Sequence, residues 1–214
     1  MNLDKMTAQE LYDLCMKEYN SKNPIAQYMI NNFYRNIETL IRQHLCDGDS
    51  LFEIGCGAGE SSERISKMIN PDHAFTVSDY DSRYVEMIRR YRPSLHVIQS
   101  DVYALHTLER QYDWVIVLEV LEHLKEFEKA LDEIFRLSRK YVLISAPNEP
   151  IWKILNILRF KYWTDHGNTL GHVNHWSSSQ LISLLSRYGT LISIKKPIPW
   201  TIVLLAKKME KSFE

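Results

Sequence analysis

From residue 48 to its end, the chain alternates short apolar runs with amphipathic segments, and this alternation constrains the fold more than any other feature. Seven apolar runs have the length of β-strands: 50–54, 74–78, 95–99, 114–118, 141–145, 191–194 and 201–206. Four segments between them have helical spacing: 60–69, 82–91, 127–137 and 178–188. Strands that alternate with helices predict a mostly parallel sheet with helices on both faces. We therefore expect an α/β fold with seven strands.

Residues 1–47 have a different pattern, which predicts two helices and no strand. Thr7 and Glu10 have the spacing of a capping box at the start of the first helix, and Pro24 is well placed to open the second. An apolar stripe runs down this second helix, which we expect to end by Gly48.

The length of 214 residues and the hydrophobic fraction of 45% predict one domain with a sizeable core. Its expected parts are an N-terminal helical lid at 1–47, a cofactor-binding core at 48–146, a substrate-binding insertion at 147–176, and a C-terminal helix with strands at 177–214. The insertion is longer than typical sheet connections. It contains five aromatic residues: Trp152, Phe160, Tyr162, Trp163 and Trp176. These rings either line a substrate pocket or pack in the core.

Charge and cysteine content narrow the classes of partner. The chain has 26 Lys and Arg against 27 Asp and Glu, so its net charge of -1 predicts no long-range attraction to nucleic acid or anionic lipid.

The three cysteines lack a C-x-x-C spacing, which favours reduced thiols. The first residues are polar and acidic, unlike a secretory signal, and no apolar run has membrane-spanning length. We expect a cytoplasmic protein without membrane insertion, either a monomer or a homodimer.

A glycine-rich turn follows the first predicted strand. Gly55, Gly57 and Gly59 stand where the backbone can approach a ligand closely at the start of a helix. A dinucleotide-binding turn would need glycine at position 60, where Glu60 would instead put a carboxylate beside a pyrophosphate. The amino, carboxylate and sulfonium groups of S-adenosylmethionine suit the turn carbonyls, the helix-start amides and the acidic Glu53. The alternative is a tight turn that binds no ligand.

Acidic residues follow the second and third predicted strands. Asp79 can accept hydrogen bonds from both hydroxyls of a ribose, and Asp101 from an adenine amino group while the backbone of Val102 meets the ring edge. For each aspartate the alternative is a helix cap. Because the carboxyl ends of parallel strands converge on one crevice, the glycine turn and both aspartates are expected to form one site.

Five motifs resemble those of class I S-adenosylmethionine-dependent methyltransferases: LFEIGCGAGE, VSDYD, VIQSDVYAL, YDWVIVLEVLEHL and VLISAPNEP. The resemblance runs from about Leu51 to Pro147, with a looser match to the C-terminus. The resemblance implies a Rossmann-like sheet of order 3-2-1-4-5-7-6, a cofactor at the first four strand ends, and methyl transfer. The cofactor-binding residues it implies are Glu53, Gly55, Cys56, Gly57, Gly59, Asp79, Tyr80, Asp101, Val102, Leu118 and Glu119. The flanking segments NPIAQYMINNFYR and GNTLGHVNHWS look like those of bacterial small-molecule enzymes of surface-glycan or natural-product pathways.

A group of acidic and histidine residues is the candidate for the chemistry. If a helix begins at Leu118, then Glu119, Glu122 and His123 share one of its faces. With the distal histidines at 172 and 175, this group resembles the metal site of small-RNA 2'-O-methyltransferases. The predicted metal ligands, for Mg²⁺ or Mn²⁺, are Glu119, Glu122, His123 and His175.

The alternative needs no metal. Glu119 would then line the cofactor pocket, and His123 would cap or pack. The candidate catalytic residues are His123, His172 and His175, because an imidazole can accept a proton near neutral pH.

Three functions are compatible with these residues. The leading interpretation is methyl transfer from S-adenosylmethionine to an oxygen or nitrogen atom of a small molecule, such as a natural product, a sugar or a lipid-linked glycan. The first alternative is a metal-assisted RNA 2'-O-methyltransferase. The second is an S-adenosylmethionine-binding partner of another protein, without catalysis.

Overall fold

Seven strands form one sheet in the computed structural model, which describes residues 6–19, 23–149, 151 and 172–208. The strands are β1 (Leu51–Ile54), β2 (Phe75–Asp79), β3 (His96–Gln99), β4 (Tyr112–Leu118), β5 (Ser138–Pro147), β6 (Gly189–Lys195) and β7 (Trp200–Lys207). Each coincides with one of the seven predicted apolar runs. β5 exceeds its predicted length by more than any other strand, because it begins directly after the preceding helix.

The strand order is β3-β2-β1-β4-β5-β7-β6, as the resemblance implied. β1 pairs in parallel with β2 and β4, β2 with β3, and β4 with β5, whereas β7 runs antiparallel to both β5 and β6. The first five strands therefore end at the same edge of the sheet. This edge, called here the carboxyl edge, is where open α/β sheets bind ligands.

Six α-helices surround the sheet in the described part of the chain: α1 (Ala8–Tyr19), α2 (Pro24–His44), α3 (Glu60–Met68), α4 (Ser82–Tyr91), α5 (Phe127–Leu137) and α6 (Ser178–Leu185). Two 3-10 segments, Val102–Thr107 and Leu121–His123, follow β3 and β4. The capping box of Thr7 and Glu10 is present, and Pro24 opens α2. The last helix ends three residues before its predicted end, because a turn follows Leu185.

Helices cover both faces of the sheet. On one face, the apolar side of α2 packs with α3 against β1 and β4, burying Ile37 and Ile65 beside Trp114. On the other, α5 and α6 pack against Phe52 and Val115. Full burial of one such side chain contributes roughly 1.5–3 kcal/mol, so these two layers supply the main apolar stabilisation.

Helix α1 lies on α4 beside the glycine turn. Leu11 is buried against Ala58 of the turn and Met87 of α4, and the carbonyl of Met6 accepts a hydrogen bond from Arg83 at 2.9 Å. The position of α1 is compatible with the predicted lid at 1–47, whose function stays a prediction. None of the described helices combines the length and the low charge that a membrane span requires.

A polar network ties the other end of the sheet together. Asp49 accepts a hydrogen bond from the Trp114 indole at 3.1 Å, and Asp113 accepts from the backbone and hydroxyl of Ser50 at 2.9 Å each. Arg139 also donates to Asp113, at 2.9 Å. Burial alone would raise the pKa of the Asp113 carboxyl, but the bonds from Ser50 and Arg139 outweigh it and hold this pKa at about 2.

This network predicts acid-dependent stability. Because the pKa of folded Asp113 lies below its unfolded value of about 3.9, its stabilisation is complete above that value and is lost as the pH falls towards 2. We expect the free energy of unfolding, measured in urea, to fall by roughly 1–2 kcal/mol more in the wild type than in Asp113→Asn over this range. A difference between the two proteins that stays constant from pH 5 to pH 2 contradicts the account.

Candidate functional site

Three glycines with positive φ shape the turn between β1 and α3. Gly55, Gly57 and Gly59 have φ of 71°, 51° and 78°. A Cβ at Gly55 would lie 2.5 Å from a methyl of Val120, and one at Gly59 would lie 2.2 Å from Ile88. A Cβ at Gly57 would meet no described atom within 4 Å. The outer two glycines are thus required by packing inside the protein, whereas Gly57 faces open space.

Asp79 links the end of β2 to the glycine turn. It is 5% exposed and accepts hydrogen bonds from the backbone N–H of Gly57 at 2.9 Å and of Asp81 at 3.0 Å. Burial raises the pKa of its carboxyl, an effect that these bonds partly offset. The N-cap of α4 is Asp81, so the capping alternative for Asp79 is wrong.

Glu53 lies beneath the turn. It is 1% exposed and accepts hydrogen bonds from the hydroxyls of Ser61 and Ser62, each at 2.5 Å. Burial raises the pKa of the carboxyl to about 7 against the opposing effect of the two serines. Sequence reasoning missed these serines, although they stand in the first turn of the helix that follows the glycines. Cys56 is buried in the same turn, where burial raises the pKa of its thiol.

The two residues predicted to meet the adenine follow β3, and Tyr80, a further predicted cofactor-binding residue, follows β2. Asp101 caps the 3-10 segment after β3 by accepting from the N–H of Tyr103 at 2.9 Å, so its capping alternative is observed. Val102 is buried, while Tyr80 is 74% exposed beside Asp79. An exposed tyrosine next to a buried carboxylate suits a flat heterocycle. The adenine role of Asp101 and Val102 and the cofactor-binding role of Tyr80 stay predictions.

The predicted helix at Leu118 does not form. β4 continues through Leu118, which pairs with Ser145, and Glu119 then has a φ of 59°. This left-handed residue ends the strand without starting an α-helix, and only the 3-10 turn Leu121–His123 follows. The condition under which Glu119, Glu122 and His123 would share one helical face is therefore not met.

Glu119 is nevertheless held at the carboxyl edge. Its carboxyl accepts hydrogen bonds from the Ser145 hydroxyl, at 2.7 Å, and from the Trp200 side chain. Burial raises the pKa of this carboxyl to about 7, and the two donors act in the opposite direction. A strained non-glycine residue that is fixed in this way is typical of functional sites.

The segment that begins at His172 lies against the 3-10 turn after β4. The carbonyl of Glu122 accepts the N–H groups of Val173 at 2.8 Å and Asn174 at 3.0 Å, and the Asn174 amide donates to Leu124 at 2.6 Å. These bonds bring residues about fifty positions apart into one cluster at the carboxyl edge.

Glu149 joins this cluster and was missed from the sequence. Its Oε1 lies 2.7 Å from Nδ1 of His172 and 3.3 Å from Nδ1 of His175. Burial alone would raise the pKa of the Glu149 carboxyl, but the two imidazoles outweigh it and lower this pKa. The available signal was its place just after the fifth strand, equivalent to the places of Asp79 and Asp101.

The predicted metal ligands are brought together only in part. Ligand atoms of Glu122, His123 and His172 all lie within 4.8 Å of one another, and among the described residues neither Glu119 nor His175 belongs to this group. The distal histidine of this group is His172 and not His175, and metal binding by the predicted ligands stays a prediction. The ring of His172 lies against that of His123, with ring centroids 4.9 Å apart.

The aromatic residues of the insertion have different outcomes. Trp152, Phe160, Tyr162 and Trp163 lie outside the described residues. Trp176 packs edge-to-face on Phe127, with ring centroids 5.2 Å apart, and contacts the core beneath α5 and α6. Of the two alternatives for the aromatic rings, a substrate pocket or core packing, Trp176 therefore follows the second.

Comparison with known proteins gives a consistent result. A family model described as "Methyltransferase domain" matches residues 26–191, more than half of the chain. A protein named as a probable S-adenosylmethionine-dependent methyltransferase from Mycolicibacterium smegmatis is 27% identical over 163 residues, which are 74% of this chain and 59% of that protein. The chain thus spans about three-fifths of the length of the curated relatives it matches.

Solved structures share the fold at low sequence identity. The PH0226 protein from Pyrococcus horikoshii OT3 has a TM-score of 0.70 and 15% identity, covering 93% of this chain and 99% of that one. Magnesium protoporphyrin IX methyltransferase from Synechocystis PCC 6803 with bound SAH has a TM-score of 0.69 and 13% identity, covering 92% and 94%. At these identities the likeness shows the fold alone.

The glycine geometry predicts a separation of stability from ligand binding. Gly48 and Gly57 both have positive φ, and a Cβ at either position would meet no described atom within 4 Å, but Gly48 lies outside the site. Alanine at either position should cost about 1–2 kcal/mol of folding free energy. We expect only Gly57→Ala to weaken binding of S-adenosylhomocysteine, by at least about 10-fold, in isothermal titration calorimetry.

Thermal unfolding of the two variants provides the control, since both should lose similar stability. Equal affinities of Gly48→Ala and Gly57→Ala for S-adenosylhomocysteine would show that the open space at Gly57 is not part of the binding site.

Proposed function

The chain belongs to the class I S-adenosylmethionine-dependent methyltransferase family, and from this premise we propose that it methylates an oxygen or nitrogen atom of a small molecule. The observation that carries the proposal is the meeting, at one edge of the sheet, of the glycine turn with a cluster of carboxyl and imidazole groups. One half of this edge suits the cofactor, and the other half suits an acceptor that must lose a proton.

The residues of the glycine turn and of the first strand ends fit the cofactor. Gly57 leaves room for close approach of the ligand, and Asp79 offers carboxylate oxygens for two ribose hydroxyls. Glu53 places a buried carboxyl under the turn, where a positively charged amino group would find a partner. When bound, S-adenosylmethionine supplies an electrophilic methyl group; the protein's part is to align the acceptor with it.

The carboxyl and imidazole cluster supports an acceptor with an O–H or N–H group. His172 and His175 stand at the carboxyl edge on a segment held against the turn after β4 by bonds to the carbonyl of Glu122. A neutral imidazole can accept the proton that methylation of such a group releases. The net charge of -1 favours a small acceptor over a polyanion.

A second candidate function is supported by a separate observation. The group of Glu122, His123 and His172 has the mixed oxygen and nitrogen donors that a divalent metal ion takes. A metal there would support metal-assisted 2'-O-methylation of RNA. The third alternative, a cofactor-binding partner protein without catalysis, is favoured by no contact among the described residues.

We also propose that helices α1 and α2 form the lid predicted at 1–47. Leu11 of α1 covers Ala58 of the glycine turn, and Phe33 of α2 lies against Trp200, with ring centroids 4.8 Å apart. Since Trp200 also bonds Glu119, the two helices contact both halves of the edge.

Asp79 provides the test of the cofactor site. In Asp79→Ala two charge-assisted hydrogen-bonding positions are lost, so we expect affinity for S-adenosylhomocysteine to fall by at least about 10-fold to 100-fold. Asp81→Ala is the matched control, because it removes a carboxylate two residues away that caps α4 and pairs with Arg83. Isothermal titration should show wild-type affinity in the control within about 3-fold. Loss of binding in both variants, or in neither, would contradict the assignment.

A turnover screen separates the three functions. The purified protein is incubated with S-adenosylmethionine and sets of small alcohols, phenols, amines and sugars, or with RNA ends, and release of S-adenosylhomocysteine is measured. We expect turnover on the small acceptors that survives treatment with EDTA. EDTA-sensitive turnover confined to RNA would support the second candidate instead, and cofactor binding without turnover on any set would support the third.

A further inference from the structure

Glu149 holds two imidazoles on one carboxylate oxygen. Oε1 contacts Nδ1 of His172 at 2.7 Å and Nδ1 of His175 at 3.3 Å, and the Glu149 residue is 3% exposed. Its other oxygen, Oε2, is buried and has no hydrogen-bond partner among the described residues. The carboxylate is therefore placed for the two rings and for nothing else that the described structure contains.

The backbone keeps this arrangement in place. The N–H of Glu149 donates to the carbonyl of Trp176 at 3.1 Å, and the neighbouring Asn148 donates to Pro199 at 2.8 Å. On the other side, Val173 and Asn174 are bonded to the carbonyl of Glu122. Both the carboxylate and the rings are thus fixed from outside the contact that joins them.

An imidazole that donates from Nδ1 to a carboxylate must carry its proton there. In the neutral ring Nε2 is then unprotonated and can only accept a hydrogen bond. The two rings differ in access, since the His172 side chain is 5% exposed and that of His175 is 33% exposed. His175 is the ring that an acceptor molecule can reach.

We propose that Glu149 is the positioning residue of a proton-accepting pair, in which it holds His172 and His175 as Nδ1–H tautomers so that Nε2 of His175 takes the proton of the methyl acceptor. This inference rests on the proposed function. His172 makes the shorter contact and keeps the carboxylate oriented towards His175.

Atoms and charge are conserved in this transfer. The O–H or N–H bond of the acceptor breaks and its proton moves to Nε2 of His175, while an acceptor electron pair forms the bond to the methyl carbon. The electron pair of the methyl–sulfur bond stays on sulfur. One positive charge thus passes from the sulfonium to the imidazolium, which faces the Glu149 carboxylate and is stabilised by it.

Nitrogen NMR of the histidine rings tests the proposal directly. Uniformly ¹⁵N-labelled protein is dialysed against EDTA and measured without cofactor or acceptor, at a pH where the rings are neutral. Signals are assigned with His172→Asn and His175→Asn, each of which removes one ring. We expect both wild-type rings to be Nδ1–H tautomers, and we expect Glu149→Met to shift both towards the Nε2–H form that unpartnered histidine favours.

Asp113→Asn is the matched control. It alters a buried carboxyl at the other end of the sheet, which is bonded by Ser50 and Arg139, so both rings should keep their Nδ1–H form. Circular dichroism checks that Glu149→Met is folded, and if it is not, the wild-type tautomers alone decide. An Nε2–H tautomer at either wild-type ring, rings unchanged by Glu149→Met, or signals that differ before and after EDTA treatment because a metal occupies Nε2 would each overturn the proposal.

Kinetics with an acceptor from the turnover screen distinguish positioning from a structural role. Glu149→Gln should lower kcat by roughly 10-fold to 100-fold while KM for S-adenosylmethionine stays within about 2-fold. A rise in KM with unchanged kcat would overturn the proposal. Failure of the proposed function is distinguishable, because it would appear as absent cofactor binding in calorimetry and would leave the ring tautomers as described.

Discussion

The left-handed backbone of the glycine turn is the constraint on which the rest of the site depends. Gly55 lets Val120, just after β4, approach the turn, and Gly59 does the same for Ile88 of α4. Side chains at these two positions would push α4 and the residues just after β4 away from the turn. Gly57, between them, donates its N–H to Asp79, and a Cβ at Gly57 would face open space. The turn therefore fixes how closely α4 and the residues after β4 approach the end of β1.

Burial of carboxyl groups is the recurring device of this edge. Glu53, Glu122 and Glu149 are buried and Glu119 is half-buried, and this loss of solvent disfavours the charged forms of their carboxyl groups. Glu53 and Glu119 accept hydrogen bonds from hydroxyls or an indole, and the pKa values of their carboxyls stay raised. The neighbouring imidazoles instead lower the pKa of Glu149. The environment thus separates a carboxylate from neighbouring carboxyls that favour the neutral form, a separation typical of sites that move protons.

Much of the fold was readable from the sequence because period and order carry it. The apolar runs became β1 to β7, and the acidic residues at 79 and 101 fell at strand ends as expected. Features set by tertiary contacts were not readable. Glu119 has a left-handed backbone and is bonded by Ser145 and Trp200, so β4 is not followed by an α-helix at this residue. The shared face considered for the metal ligands depended on such a helix. Glu149 was missed because its partners lie more than twenty residues away and only packing brings them together.

We propose that the glycine turn and Asp79 hold the cofactor next to the carboxyl and imidazole cluster. A crystal structure with S-adenosylhomocysteine bound tests it most directly. The account predicts the ribose hydroxyls on the carboxylate of Asp79, the amino acid portion along Gly57, and the sulfur turned towards the edge that carries Glu119 and His175. Density for the ligand away from Asp79, or a sulfur facing away from that cluster, would contradict it.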